Sequence, residues 1–314
     1  MGTSVGVNKL SVVHKDTGLH KPIGNALEGG ACLSGHESDY HKKNSCSYRY
    51  QAVEHSRSNK GRGDIYKVSA DGHARIAQAH GGGPIPTSRY LTRRGSSPEN
   101  PSGRYPWDGD YGDHLTVPQP GDWDINGPTR VGAVDAAGKP IGPGMNFTTS
   151  FWPYWNNAHH MIPKGTLNTA IANADTDPRI VNLIRAGLLK APYNVNHYVN
   201  MILLPMDTEV GKILNLPRHL SLDDGSTAFD QKPKFDHIPY NHKVATRLKA
   251  IMSDYKERAA EIKGENQDCD IKKMTPLSKR KLHTLSNDCY KAITDFGSSN
   301  PGEPLVDLPG LKLS

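Results

Sequence analysis

Asn157-Ala158-His159-His160-Met161-Ile162-Pro163-Lys164-Gly165 is the stretch from which the fold is read. Two adjacent imidazoles between small and apolar residues are poorly explained by packing, since histidine seldom fills an interior for its own sake. On an extended strand, neighbouring side chains point to opposite faces. One histidine can then bind a metal ion while the next reaches a separate reacting atom, the division of labour that metal-assisted phosphodiester cleavage needs.

Helical periodicity begins directly after this strand. Residues 166–174 read as a short helix, and Pro178 sits in a first-turn position for a second one, with Ile180, Leu183, Ile184 and Leu188 recurring at helical spacing toward a core. Another short helix starts at Asp207. The strongest pattern runs through Tyr240, Val244, Leu248, Ile251, Tyr255, Ala259 and Ile262, with Gly264 as its expected stop. A last helix is expected over about 276–296, followed by a Gly/Pro/Ser-rich extended tail, mobile or draped over the surface.

The first half reads differently. The 31 Gly and 23 Pro fall largely before residue 165, and breakers such as Gly81-Gly82-Gly83-Pro84 and Pro118-Gln119-Pro120-Gly121 predict irregular coil with short strands. Residues 131–141 resemble a hairpin turning near Gly138. Tyr105, Trp107, Tyr111 and Trp123 read as anchors of a loop-rich shell.

A net charge of +6, with 15 histidines able to take up protons, favours a polyanionic partner. With 35% apolar residues and a mean hydropathy of -0.63, one compact core plus poorly packed segments is expected. No apolar run approaches the ~20 residues that cross a bilayer, and the N-terminus lacks the apolar core of a Sec-type signal, so a soluble protein is expected. The 4 cysteines are too few for a disulfide scaffold and point to a reducing compartment.

Ala158-His159-His160 followed by Met-Ile-Pro resembles the AHH family of bacterial toxin nucleases, in the HNH/endonuclease VII superfamily that shares the ββα-metal finger. Asn200-Met201-Ile202-Leu203-Leu204-Pro205 is similar to the family's Asn-Gly-Ile-x-Leu-Pro segment, with Met201 in place of Gly. His237-Ile238-Pro239-Tyr240, with Val244 and Leu248, is similar to its His-Pro-x-Tyr block, with Ile238 inserted between His and Pro. The resemblance spans roughly 151–255. Met1-Gly2-Thr3-Ser4-Val5-Gly6-Val7-Asn8, continuing to His14-Lys15, resembles the start of PAAR-like domains that cap type VI secretion spikes.

The resemblance implies that His159 is a metal ligand and His160 the general base. Imidazole suits the second role, because it titrates near neutrality and takes a proton from water while still reactive. A hydrogen bond to its other nitrogen must fix the tautomer; the superfamily's central Asn has a related orienting task, for which Asn200 is the candidate and Asn196 the runner-up. The remaining ligand should come from the start of the long helix: His237 first, with Asn241 and His242 as second choices. Mg²⁺ or Mn²⁺ is expected for turnover, with Zn²⁺ or Ni²⁺ able to occupy an imidazole site.

Other features weigh less. Cys32, His36, His41 and Cys46 have zinc-capable side chains but match no known knuckle spacing, so they read as loop residues ahead of a zinc site. Cys269 and Cys289 read as helix-packing thiols, and the cluster Lys272, Lys273, Lys279, Arg280, Lys281 as either a phosphate contact or a solvated face.

The fold class expected is α+β: a ββα-metal nuclease core enlarged by helices and preceded by a loop-rich region with short strands. The organisation expected is a secretion-docking segment over 1–17, the loop-rich region over 18–150, the nuclease domain with its C-terminal helices over 151–296 and the tail over 297–314. The function expected is a metal-dependent endonuclease toxin acting on DNA, delivered as an antibacterial type VI effector and neutralised by an acidic immunity protein. Its rivals are an RNA-cleaving toxin of the same fold and a non-enzymatic spike adaptor with a degenerate nuclease fold.

Overall fold

The computed structural model of the chain describes residues 20–22, 30–33, 46–58, 125, 140, 142, 147, 156–205, 208–219, 238–265, 277–306 and 308. In chain order the elements are β1 (His20–Pro22), β2 (Gly30–Cys32), α1 (Tyr48–Ser58), β3 (Asn156–His160), α2 (Lys164–Ala172), α3 (Pro178–Lys190), β4 (Met201–Pro205), α4 (Thr208–Leu214), α5 (Ile238–Glu265) and α6 (Arg280–Ser299). A 3-10 turn, Tyr198–Asn200, leads into β4.

The histidine stretch is a strand, as its extended reading requires. β3 pairs antiparallel with β4, setting His159 opposite Ile202 and His160 opposite Met201. Every residue of β4 is buried. A continuous Met-Ile-Leu-Leu run carries apolar side chains on both faces of the strand and is stable only when both are covered. Helix α1 packs across β4 and β3 and supplies one cover; α4 also packs on β4, and α6 lies on the turn that leads into it. With α5 following the two strands, the chain has the mixed α+β architecture of a ββα core enlarged by helices.

The helices form where the periodicity places them, for local reasons that can be named. In α3, Asp177 caps the N-terminus by accepting from the Arg179 amide at 2.9 Å, and Pro178 occupies the first turn. Ile180, Leu183, Ile184 and Leu188 are all buried. In α5, Tyr240, Val244, Leu248, Tyr255, Ala259 and Ile262 are buried and Ile251 partly so, which is the expected stripe. Asp175 and Asp177 reach across to Lys256 at 3.0 Å and Lys263 at 2.5 Å, fastening the far half of α5 to the start of α3. With Arg179 and Lys263 donating to it, the Asp177 carboxyl is held well below the usual carboxylate range.

Several boundaries differ from the sequence reading. Helix α5 passes Gly264 and ends at Glu265, since one glycine in a last turn costs only about 1 kcal/mol. Helix α6 starts at Arg280, later than 276, because the Leu277 amide is committed to the Gly187 carbonyl on α3 and Ser278 Oγ accepts from the Arg280 amide. It then runs through Gly297, where a Cβ would stand 2.5–2.7 Å from Pro217, Asn215 and Leu216, so only glycine allows the helix this close to the 215–217 segment.

After α6, the described part of the tail is packed. Leu305 and Leu308 are buried, the 304 position bridges to Arg218, and Lys243 Nζ donates to the Leu308 carbonyl at 2.9 Å. This is the draped arrangement, fixed by two leucines that find a place on the core.

The main correction lies in the first half. The sequence predicts coil with short strands there, and β1 and β2 are such strands, but α1 is a helix. Its sequence, Tyr-Arg-Tyr-Gln-Ala-Val-Glu-His-Ser-Arg-Ser, has little apolar periodicity, and of its residues Ala52, Val53 and Ser56 are buried. Such a helix is specified by the strand pair it covers more than by its own pattern. The hairpin over 131–141 apart from residue 140, Tyr105, Trp107, Tyr111, Trp123, the 1–17 segment, His36, His41, Cys269, Lys272 and Lys273 lie outside the described residues. Cys32, Cys46 and Cys289 are buried cysteines. Burial pushes the Cys289 thiol up to about 12, which suits an inert packing role. No helix among the described residues is long and apolar enough to cross a membrane.

Candidate functional site

The two histidines of β3 have different surroundings, as the strand pleat demands. His159 is buried, with its ring 4.8 Å from the ring of His219 in an edge-on arrangement and 5.2 Å from that of Tyr240. His160 is half-buried on the other face, where the Tyr48 ring of α1 lies 5.2 Å away. Its Nε2 is 3.0 Å from Asn196 Oδ1. An amide oxygen only accepts, so Nε2 carries the proton and Nδ1 keeps the lone pair that a general base uses. Burial brings the His160 pKa down to about 4, opposed by the Asn196 hydrogen bond and assisted by the Lys164 cation. The ring is therefore neutral throughout the physiological range, but it titrates below the near-neutral value expected of it and is a weaker base than a free imidazole.

The asparagines divide the orienting work. Asn196 holds the His160 ring. Asn200 holds the chain that follows it: Oδ1 accepts from the Ile162 amide at 2.7 Å and Ser286 Oγ at 2.8 Å, while Nδ2 donates to the Ile162 carbonyl at 3.0 Å and the Val195 carbonyl at 2.8 Å. The backbone adds a fifth bond, from the Met161 amide to the Asn200 carbonyl at 2.9 Å. The amide thus makes four hydrogen bonds in a buried position and ties the loop after β3 to the turn before β4 and to α6. Spacing alone could not separate the two asparagines, because the choice depends on which one the turn over 198–200 directs at the backbone.

His219 was not singled out from the sequence. It lies in Leu216-Pro217-Arg218-His219, and its amide donates to the Pro205 carbonyl at 2.9 Å, which returns it to the end of β4 and hence beside β3. A histidine two residues after a proline carries no signal by itself. His159 Nε2 and His219 Nδ1 are both shut away from solvent. The two rings lie 4.8 Å apart, centroid to centroid, and imidazole is a ligand type that Zn²⁺, Ni²⁺ and Mn²⁺ accept. Among the described residues no group of three His, Cys, Asp or Glu gathers to complete such a set. His237 lies outside the described residues, three positions before Tyr240.

Tyr240 secures this side of the site. Its hydroxyl donates to the Met161 carbonyl, and its ring rests on His159, so the first turn of α5 is anchored against the strand bearing the histidines. Asn241 and His242 follow it and line a cavity of about 750 Å³ between α2 and α5, with Thr166, Thr169, Lys249 and Lys256. His242 is exposed, whereas Asn241 Oδ1 is buried and meets no donor among the described residues.

Residues 143–276 match AHH, a nuclease family of the HNH/ENDO VII superfamily with conserved AHH, a span that holds β3, β4, the start and body of α5, and both asparagines. Neither the curated proteins nor the solved structures yield a match to the chain. An Ala-His-His strand paired with β4, its histidines facing opposite ways and its following loop clamped by an asparagine, thus lies within the stretch, residues 143–276, that matches the AHH nuclease family.

Proposed function

We propose that the chain is a metal-dependent endonuclease that hydrolyses phosphodiester bonds, with DNA as its substrate. The observation that carries this reading is the split environment of two consecutive residues: His159 beside the His219 imidazole, and His160 with its Nε2 3.0 Å from Asn196 Oδ1. In this reading His160 takes the proton from the attacking water at Nδ1, and the Asn196 carbonyl stabilises the imidazolium that results. His159 and His219 hold the divalent ion, with His237 as a further ligand. A bound divalent ion supplies neutralisation of charge on the phosphoryl oxygens and on the leaving oxygen. Asn200 and Tyr240 act on the backbone, keeping the two histidines at fixed separation from the start of α5.

The exposed Lys164, directly after the histidine strand, and the net charge of +6 favour a polyanion. RNA presents the same phosphate backbone and is the rival substrate. The resemblance of the first residues to spike-tip domains extends the proposal to an antibacterial type VI effector, restrained in the producing cell by an acidic immunity protein.

Incubation of the full chain with plasmid DNA or with structured RNA, with Mg²⁺ or Mn²⁺ and with chelator, tests the reading. Chelator-sensitive cleavage that His160→Ala abolishes, in a variant whose circular dichroism matches the wild type, is expected. Wild type and His160→Ala leaving both polymers equally intact would refute it and favour the spike adaptor. Cleavage of RNA alone would reassign the substrate.

A further inference from the structure

The family match begins at residue 143, yet part of the wall around His160 comes from far upstream. The Tyr48 ring, from the first residue of α1, lies against the His160 ring at 5.2 Å. Asn196, whose oxygen holds His160 Nε2, sends its Nδ2 to Cys32 Sγ at 3.6 Å. Cys32 ends β2, and that strand is itself locked to the segment before the turn. Its amide donates to the Tyr193 carbonyl at 2.9 Å, and its carbonyl accepts from the Val195 amide at 2.8 Å. Gln51 Oε1 accepts from the Tyr198 amide at 3.1 Å, and the Leu33 carbonyl accepts from Asn168 Nδ2 at 2.7 Å.

These contacts bear on which way the Asn196 amide faces. A primary amide has one accepting end and one donating end, nearly identical in shape, so its orientation is set by its partners. A thiol sulfur accepts and donates weakly, and here Cys32 Sγ accepts from the donating end. With that end on Cys32, the accepting end faces His160, and the imidazole meets it with its proton at Nε2. Turned over, the same amide would offer N–H to Nε2, and the proton would move to Nδ1, the nitrogen that must be bare to act as base.

We propose that the segment upstream of the family match is part of the catalytic unit: β2 and α1 set the tautomer and pose of His160, with Cys32 acting through Asn196 and Tyr48 acting through its ring as positioning residues. The inference rests on His160 being the general base. In this role Cys32 specifies a direction for a neighbouring amide. Serine in its place keeps an acceptor, and alanine removes it.

The test uses the full chain carrying ¹⁵N-labelled histidine, with nuclease kinetics and imidazole ¹⁵N shifts measured on the same samples. The wild-type His160 resonances should report a protonated Nε2 and a bare Nδ1. Cys32→Ala should shift them toward the other tautomer and lower kcat about tenfold with KM within about twofold, a fraction of the hundredfold that misplacement near a reacting centre can cost. Cys32→Ser should restore both readings. Should Cys32→Ala fail to fold, Tyr48→Leu, which keeps apolar bulk and removes the aromatic face, carries the same measurements. Unchanged shifts and unchanged kcat in the folded variants overturn the proposal. Failure of the nuclease reading has a separate signature, a wild type that cleaves no nucleic acid whatever its His160 tautomer.

Discussion

Truncating Asn200 is the most demanding perturbation of this site, because its amide serves four partners at once. Asn200→Ala leaves the Ile162 amide, the Ile162 carbonyl, the Val195 carbonyl and the Ser286 hydroxyl without the groups that met them at 2.7–3.0 Å. Each buried polar group so abandoned costs about 1–3 kcal/mol, and two of them find relief, Ser286 by rotating its hydroxyl and one carbonyl by admitting water into the space vacated. The expected loss is therefore about 2–6 kcal/mol, a large part of the roughly 5–15 kcal/mol that holds a protein folded. Ser286→Ala removes one neutral hydrogen bond and should cost about 1 kcal/mol. Because that bond ends on Asn200, the double variant should cost about 1 kcal/mol less than the two losses added together. Urea unfolding of the full chain reads these values from the midpoint, provided the slope is unchanged. An Asn200→Ala loss below about 1 kcal/mol, or complete additivity with Ser286→Ala, would refute the clamp. The loop after His160 also loosens in this variant, so kcat should fall even where the protein remains folded.

Three further outcomes follow from the geometry. His160 has its folded pKa brought down to about 4 from 6.5, so the unfolded chain binds more protons between those values. Stability should then fall as pH drops from 6.5 toward 4, by about 3 kcal/mol from this residue, and remain level above 6.5; in metal-free protein, His160→Gln should show a correspondingly shallower loss in urea midpoints measured across that window. His219→Ala should weaken Mn²⁺ or Zn²⁺ binding at least about tenfold by calorimetry, comparable with the loss of a ligand, and an affinity equal to wild type would remove His219 from the metal site. Gly297→Ala forces a methyl to within 2.7 Å of the 215–217 backbone and should cost about 1–3 kcal/mol, with unaltered thermal stability arguing against the close approach.

Much of this protein is legible in its sequence where a residue's role depends on near neighbours. The alternation of a strand puts His159 and His160 on opposite faces whatever surrounds them, and a stripe at a period of 3.6 makes Tyr240, Val244, Leu248 and Tyr255 one buried edge of α5. Pro178 after Asp177 marks a helix start by the chemistry of two residues. Other assignments needed the folded chain, because they join residues that spacing does not connect. His219 reaches His159 only through the return of the chain to the end of β4, α1 is helical because β4 needs a cover, and Asn196 and Asn200 exchange or share tasks according to which way a three-residue turn points them. Local periodicity is a property of bonded neighbours and is written in the sequence; the meeting of Cys32, Asn196 and His160 is a property of the packed interior, where long-range contacts choose among side chains of equal local merit.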